Sequence, residues 1–131
     1  MAYEISNNAL KITLVAGADL SAKQYYFVKL NSSGQAILCA AATDYPIGVL
    51  QNNPISGAEA TVVVAGGTKI VASAAIAAGV QIGTASTGKA DAKTAGTDTT
   101  EYTVGQVLLA SAADADVLTA VINCANPTRS A

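Results

Sequence analysis

Gly83-Thr84-Ala85-Ser86-Thr87-Gly88-Lys89-Ala90 is where residue types and spacing come nearest to a chemical device. A phosphate-binding loop runs G-x-x-x-x-G-K and then needs Ser or Thr, whose hydroxyl holds magnesium. It must also open a helix whose N-terminal amides face the phosphates. Here the hydroxyl position is Ala90, and Asp91-Ala92-Lys93-Thr94-Ala95-Gly96-Thr97 is a poor helix start. No apolar strand ending in a magnesium-binding Asp follows. The stretch reads as a Gly-Lys β-turn.

Other candidate groups are thinner. Asp114-x-Asp116 has the start of a cation loop without the rest of the calcium pattern, and reads as a solvated turn between strands. Asn31-Ser32-Ser33 matches a glycosylation sequon, which has meaning only after secretion. Ser and Thr abound, but the chain has no His, so the commonest general base and metal ligand are both missing. A hydroxyl nucleophile then has no base to activate it. The two cysteines, Cys39 and Cys124, have no CxxC partner. One disulfide between them is an alternative to the preferred reading, two reduced, buried, small hydrophobes. Met1-Ala2-Tyr3-Glu4 lacks the basic start and apolar run of a secretory signal, so synthesis in a cytoplasm is expected. The reading is of no enzyme, no cofactor and no metal.

The elements that must carry these residues read mostly with the period of two that marks strands. Leu10-Lys11-Ile12-Thr13-Leu14 alternates apolar with polar, so one face is buried and the other wet. Gln24 to Leu30 is aromatic and β-branched, and Asn31-Ser32-Ser33-Gly34 turns it into a second arm, Ala36 to Ala40. Ile47-Gly48-Val49-Leu50 is a short strand before the loop Gln51-Asn52-Asn53-Pro54. Glu59 to Val64 is the most strand-like run, and Gly66-Gly67 is expected to turn it back into Thr68 to Ala72 as a hairpin. Ala74 to Ala78 has the composition of one helical turn, stopped by Gly79. Val80 and Ile82 make a short strand, and Ala90 to Thr100 reads as an exposed, mobile loop. Tyr102 to Leu109 and Asp116 to Cys124 are the last strands, with an Ala-rich helix from Gln106 to Ala115 as the competing reading. Short strands with a turn signal about every 8–12 residues predict an all-β fold, a small single-domain barrel or sandwich of short antiparallel strands with at most short helical turns. Residues 1–8 read as an extended N-terminal arm and 9–131 as one β-rich domain.

Composition narrows the partners. The 131 residues are 51% hydrophobic, 5% aromatic and 12% charged, with a net charge of −2. Disordered chains combine low hydrophobicity with high net charge, so this chain folds. Nucleic-acid binding by bulk charge is excluded, since no basic footprint exists and Arg129 is the only Arg. No window approaches the roughly 20 apolar residues of a membrane helix, so no membrane partner is expected. An excess of apolar over charged residues leaves large uncharged patches, which mark interaction surfaces. Tyr25 and Tyr26 stand side by side, so on a strand one faces inward and the other outward as an interface anchor.

The order of short motifs resembles a known family. Leu20-Ser21-Ala22-Lys23-Gln24-Tyr25 leads into Val28-Lys29-Leu30, then Pro46 to Asn52 and Gly57 to Val62. Thr68 to Ala72, Gly79 to Ile82, Gly88-Lys89-Ala90, Val104 to Leu108 and Asn126-Pro127-Thr128-Arg129 follow. From about Ala9 to Arg129 this order resembles the capsid cement, or head decoration, proteins of tailed bacteriophages. The resemblance implies a non-enzymatic protein assembled in the host cytoplasm onto the outer surface of the virion. It implies binding where major capsid protein subunits meet, stabilisation of the shell, and a homotrimer. The alternative is a carbohydrate- or receptor-binding β module of a phage fibre or surface structure, for which a chain without Trp has few aromatics to offer. An enzyme with a nucleotide site at Gly83 to Lys89 is a further alternative. The arm places Tyr3 and Ile5 on one side and Ala2 and Glu4 on the other if extended, with Asn7-Asn8 as the break. It is expected to pair as an added strand on a capsid subunit or a neighbouring copy, an ordinary terminal strand or a frayed end being the alternatives. Ala2, Tyr3, Glu4, Ile5, Tyr25 and Arg129 are the expected partner-contacting residues.

Overall fold

The computed structural model describes residues 8–131, so the expected arm lies outside the described residues except for Asn8. Eleven strands follow in order: β1 Leu10–Val15, β2 Phe27–Leu30, β3 Ala36–Leu38, β4 Gly48–Leu50, β5 Glu59–Val71, β6 Gln81–Thr84, β7 Ala90–Ala92, β8 Tyr102–Thr103, β9 Gly105–Leu109, β10 Val117–Asn123 and β11 Thr128–Arg129. No helix occurs among the described residues. The fold is all-β and its strand ladders are antiparallel, as the period-two pattern predicts.

One long strand organises the rest. β5 runs for 13 residues. Its Val62 and Val63 pair with Ile12 and Lys11 of β1 and also with Leu50 and Val49 of β4, so those two strands flank it on opposite edges. Its later half pairs with β10, from Val117 against Val71 to Asn123 against Ala65. The resulting sheet has nine strands in the order β3-β2-β4-β5-β10-β9-β6-β7, with β1 added on β5, while β8 and β11 form a separate pair. The two ends of that order curl towards each other. Phe27 N–H of β2 donates to the Gly88 carbonyl just before β7 (2.7 Å), and Ser73 N–H, just past β5, donates to the Ala90 carbonyl in β7 (2.9 Å).

Where β2, β4 and β5 lie side by side, both faces of the sheet are apolar. Phe27, Val49 and Val63 enter one buried cluster with Ile70, Ile82, Leu118 and both cysteines. Their chain neighbours Val28, Leu50 and Val62 enter a second cluster with Leu20, Ala36 and Ala60. Adjacent strand residues point to opposite faces, so a sheet covered on both sides needs continuous Val and Ile runs. Each fully buried side chain of this size contributes about 1.5–3 kcal/mol. Much of the apolar excess is therefore consumed inside the domain.

Several local expectations are corrected. Gly66-Gly67 is no hairpin turn: β5 passes straight through it, with Gly66 opposite Ile122 and Gly67 opposite Val121. Gly66 has φ +118, and a Cβ there would stand 3.0 Å from Ala9 Cα, so the glycine serves a close backbone approach where β5 changes partner. Ala74 to Ala78 makes no helical turn, because buried Ile76 bridges to Ser111 and its N–H donates to the Ser111 hydroxyl (3.0 Å). The competing helix over Gln106 to Ala115 is replaced by β9 and a turn. The expected strand Tyr102 to Leu109 is itself split at buried Val104 into β8 and β9. Ala90 to Thr100 is not one exposed loop: Ala90–Ala92 is β7, and Ala90 and Lys93 are buried. Gln24 to Leu30 begins its strand only at Phe27, because Tyr26 N–H closes a turn on the Lys23 carbonyl (3.1 Å).

Candidate functional site

The two motifs that most resembled chemistry satisfy each other. Lys89 Nζ, in the β6–β7 turn, lies 2.9 Å from Asp114 Oδ1 in the turn between β9 and β10, at the surface. The hydrogen bond to Asp114 holds the Lys89 ammonium above its ordinary pKa, and the reciprocal bond holds the Asp114 carboxyl below its own. Asp116 Oδ2 accepts from Ala112 N–H (3.1 Å), which shapes the β9–β10 turn that carries Asp114. The apparent phosphate loop is a strand end, and its turn is closed by Gly88 N–H to the Ala85 carbonyl (3.1 Å). No group of three or more metal-ligating side chains occurs among the described residues.

A second lysine of this hairpin is buried. The Lys93 side chain has no exposed surface, and its Nζ donates to the Thr84 carbonyl (2.9 Å), to Asp91 Oδ2 (3.3 Å) and to Glu101 Oε1. Asp91 in turn accepts from Ser73 Oγ (3.4 Å). Gly83 makes room for this: a Cβ there would collide with the Tyr102 carbonyl and stand 3.0 Å from Lys93 Cε. The cluster pins β7, β6 and the approach to β8 together. No buried side-chain nitrogen or oxygen among the described residues lacks a partner, so the cluster reads as structural.

The concave surface with accessible chemistry lies elsewhere. A cleft of about 520 Å³ opens between β2, the segment 43–47 and the turn after β10. Its apolar walls are Leu30, Pro46, Ile47 and Pro127, and Cys124 and Ala125 close one side. Lys29 and Asp44 supply the polar groups, paired at 2.9 Å. Asp44 Oδ2 also accepts from Ala40 N–H (2.9 Å) and Ala41 N–H (3.0 Å), which fixes the turn that carries it. Burial pushes the Asp44 carboxyl up, but hydrogen bonds from Lys29, Ala40 and Ala41 outweigh it and leave the pKa below the ordinary value. Burial pushes both thiols, Cys39 and Cys124, up to about 12, so neither is a nucleophile near neutral pH.

Tyr45 stands at the rim, 62% exposed. Its ring meets Tyr102 edge-on, with centroids 5.2 Å apart and planes at 65°, and Arg129 lies over the Tyr102 ring at 5.7 Å. Arg129 Nε also donates to the Thr99 carbonyl (3.2 Å). Arg129 of β11 thus holds Tyr102 of β8, and Tyr102 props Tyr45.

The expected partner-contacting residues do not converge. Ala2, Tyr3, Glu4 and Ile5 lie outside the described residues. Tyr25 is a half-buried corner with φ +67, donating to the Leu50 carbonyl (2.7 Å) and accepting from Val71 N–H (2.9 Å), with Lys69 over its ring. The expected in-and-out alternation with Tyr26 therefore fails, since neither belongs to a strand and both are half-buried. Arg129 is exposed and belongs to the aromatic cluster instead. Sequence reading missed Tyr45, Tyr102, Lys29 and Asp44. Asp44-Tyr45-Pro46, an aromatic between turn residues, was the available signal for two of them.

No protein-family model matches the chain, and no curated protein matches it. Among solved structures, it is similar to the N base of the head fibre protein gp8.5 in bacteriophage phi29. The TM-score is 0.65 at 16% identity, over 88% of this chain and 94% of that one. The two share a fold.

Proposed function

We propose that this chain is a non-enzymatic structural protein of a tailed-phage virion that decorates the outer surface of the head. The observation that carries the reading is the fold shared with a phage head fibre base over 88% of the chain. The order of motifs from Ala9 to Arg129 supports it independently of that comparison. The partners are major capsid protein subunits at their junctions and further copies of the chain, arranged as a homotrimer. Symmetric repetition multiplies modest contacts, because one oligomer grips several subunits at once. Tyr3 and Ile5 of the N-terminal segment, with Ala2 and Glu4, supply an added strand to a capsid subunit or a neighbouring copy. Arg129 and Tyr25 are secondary contacts.

Mixing the purified chain with expanded, undecorated heads and sedimenting them tests this directly. Co-sedimentation at saturable stoichiometry, in groups of three on the shell, is the expected result. Absence from the pellet sinks the decoration reading, and single, evenly spaced copies sink the trimer. Deleting Met1 to Asn7 is expected to abolish head binding at unchanged melting temperature.

One observation favours a second reading, a carbohydrate- or receptor-binding module of a phage fibre or surface structure. The cleft beside Tyr45 presents an exposed, supported aromatic next to a charge pair. A domain that binds only through a flat capsid contact has no need of it.

A further inference from the structure

We propose that the cleft between β2, the segment 43–47 and the turn after β10 binds a neutral pyranose unit of a glycan, with Tyr45 as the stacking surface and Asp44 as the hydroxyl acceptor. The inference rests on the second reading above, and it gives that module a site and narrows its ligand to a neutral sugar.

A sugar ring has one face of C–H groups and an equator of hydroxyls. Its binding site therefore needs an aromatic or apolar plane beside a few fixed polar groups. Tyr45 supplies the plane. Exposed side chains ordinarily sample several rotamers, but the Tyr102 ring backs this one, and Arg129 holds Tyr102 in turn. Support from behind removes much of the ordering cost of binding.

The polar group is equally prepared. Ala40 N–H, Ala41 N–H and Lys29 Nζ all converge on the Oδ2 atom of Asp44. Those three bonds anchor the carboxylate through one oxygen, and in the proposed complex the other, Oδ1, accepts from a sugar hydroxyl. The lowered pKa keeps the group an ionised acceptor at neutral pH. Lys29 spends one of its three donors on Asp44, and its side chain retains 29% exposure.

Charge decides between ligand classes. The Lys29–Asp44 pair sums to zero. An anion must compete with Asp44 for Lys29, and a cation must compete with Lys29 for Asp44. A neutral polyhydroxyl ligand bonds to both without separating them. The volume of about 520 Å³ lies in the roughly 300–1,000 Å³ range of small-ligand clefts. Leu30, Pro46, Ile47 and Pro127 offer apolar walls to the remaining C–H surface.

The test is a titration of the full chain with maltotriose and with triacetylchitotriose, a galacturonic acid trimer serving as the charged comparison. Backbone amide shifts in NMR locate the site, and tyrosine emission follows stacking. Saturable binding of at least one neutral trisaccharide is expected, with shifts centred on Thr43, Asp44, Tyr45, Ile47, Cys124 and Ala125. Tyr45→Ala is expected to weaken it about tenfold, the scale of one aromatic contact, while Tyr45→Phe retains it. Ile55→Ala, at an exposed position elsewhere, leaves it unchanged. Three results overturn the proposal: no binding of either neutral probe, equal binding of the galacturonate, or shifts that fall away from the cleft. The shift map is read on the unsubstituted chain, so it stands even if Tyr45→Ala folds poorly. Sedimenting the unsubstituted chain with heads, beside the saccharide titration, separates the two readings. Head binding without saccharide binding removes this site and leaves decoration intact, whereas saccharide binding without head binding does the reverse.

Discussion

Lys89 and Lys93 flank the same short strand, β7, and both pair with aspartate, yet they do different work. Lys89 reaches Asp114 at the surface, where Asp114 is 66% exposed and water competes for both partners. Lys93 is wholly enclosed, and Thr84, Asp91 and Glu101 supply its ammonium with acceptors that water cannot replace. An exposed pair gains little because desolvation is slight and screening strong. A buried ammonium is costly to leave unpaired, so each of its acceptors matters. Position relative to solvent, and not residue type, separates an ornament from a pin.

The comparison breaks most decisively at Lys93. Lys93→Ala is expected to lower unfolding free energy by about 3 kcal/mol, since the enclosed side chain and its anchors are lost together. A denaturant melt measures it. Lys89→Ala should move the midpoint far less, and an equal shift would show that the two lysines do the same work. Glu101→Gln keeps the shape and removes a charge, leaving Asp91 as the only carboxylate on a buried ammonium. A loss of about 2 kcal/mol is expected, smaller than for Lys93→Ala.

The cleft pair sits between these extremes and is read through pH. The folded pKa of Asp44 lies below its ordinary 3.8. The Lys29–Asp44 bond therefore stabilises fully above that value and is lost as pH falls from 3.8 through the folded pKa. Melting temperature should drop across that window, and Asp44→Asn should flatten that part of the profile. The smallest effect belongs to Asp114→Asn. Its midpoint is expected to match the unsubstituted chain at moderate salt, and a clear loss of stability there would make the surface pair more than decoration.

The thiols extend the same contrast between enclosed and open groups. Cys39 and Cys124 should resist an aromatic disulfide reagent in the native state and react fully in denaturant. Prompt reaction of the folded chain would show that the cluster holding them opens readily.

Much of the architecture was legible because strand patterning is local. Leu10 to Leu14, Glu59 to Val64 and Asp116 to Cys124 alternate or run β-branched within a few residues, and each became a strand in nearly the expected place. The failed phosphate loop was equally plain, since Ala90 carries no hydroxyl whatever surrounds it. Gly66-Gly67 shows where local reading ends. The same two letters serve a tight turn or a close crossing, and only the arrival of β10 and Ala9 beside them selects the crossing.

By itself, then, the order of residues determined the all-β class, the apolar interior and the absence of a His-based or phosphate-loop site. Tertiary structure alone decided the rest. Tyr45, Tyr102 and Arg129 are far apart along the chain and became one cluster only when β8 paired with β11 and the segment 43–47 lay against them. Lys93 looked like a loop lysine until Gly83 and Glu101 closed around it. Periodicity records which side of a strand is apolar. It carries no record of which distant strand will lie alongside, and every contact of the cleft and of the lysine pin depends on that pairing.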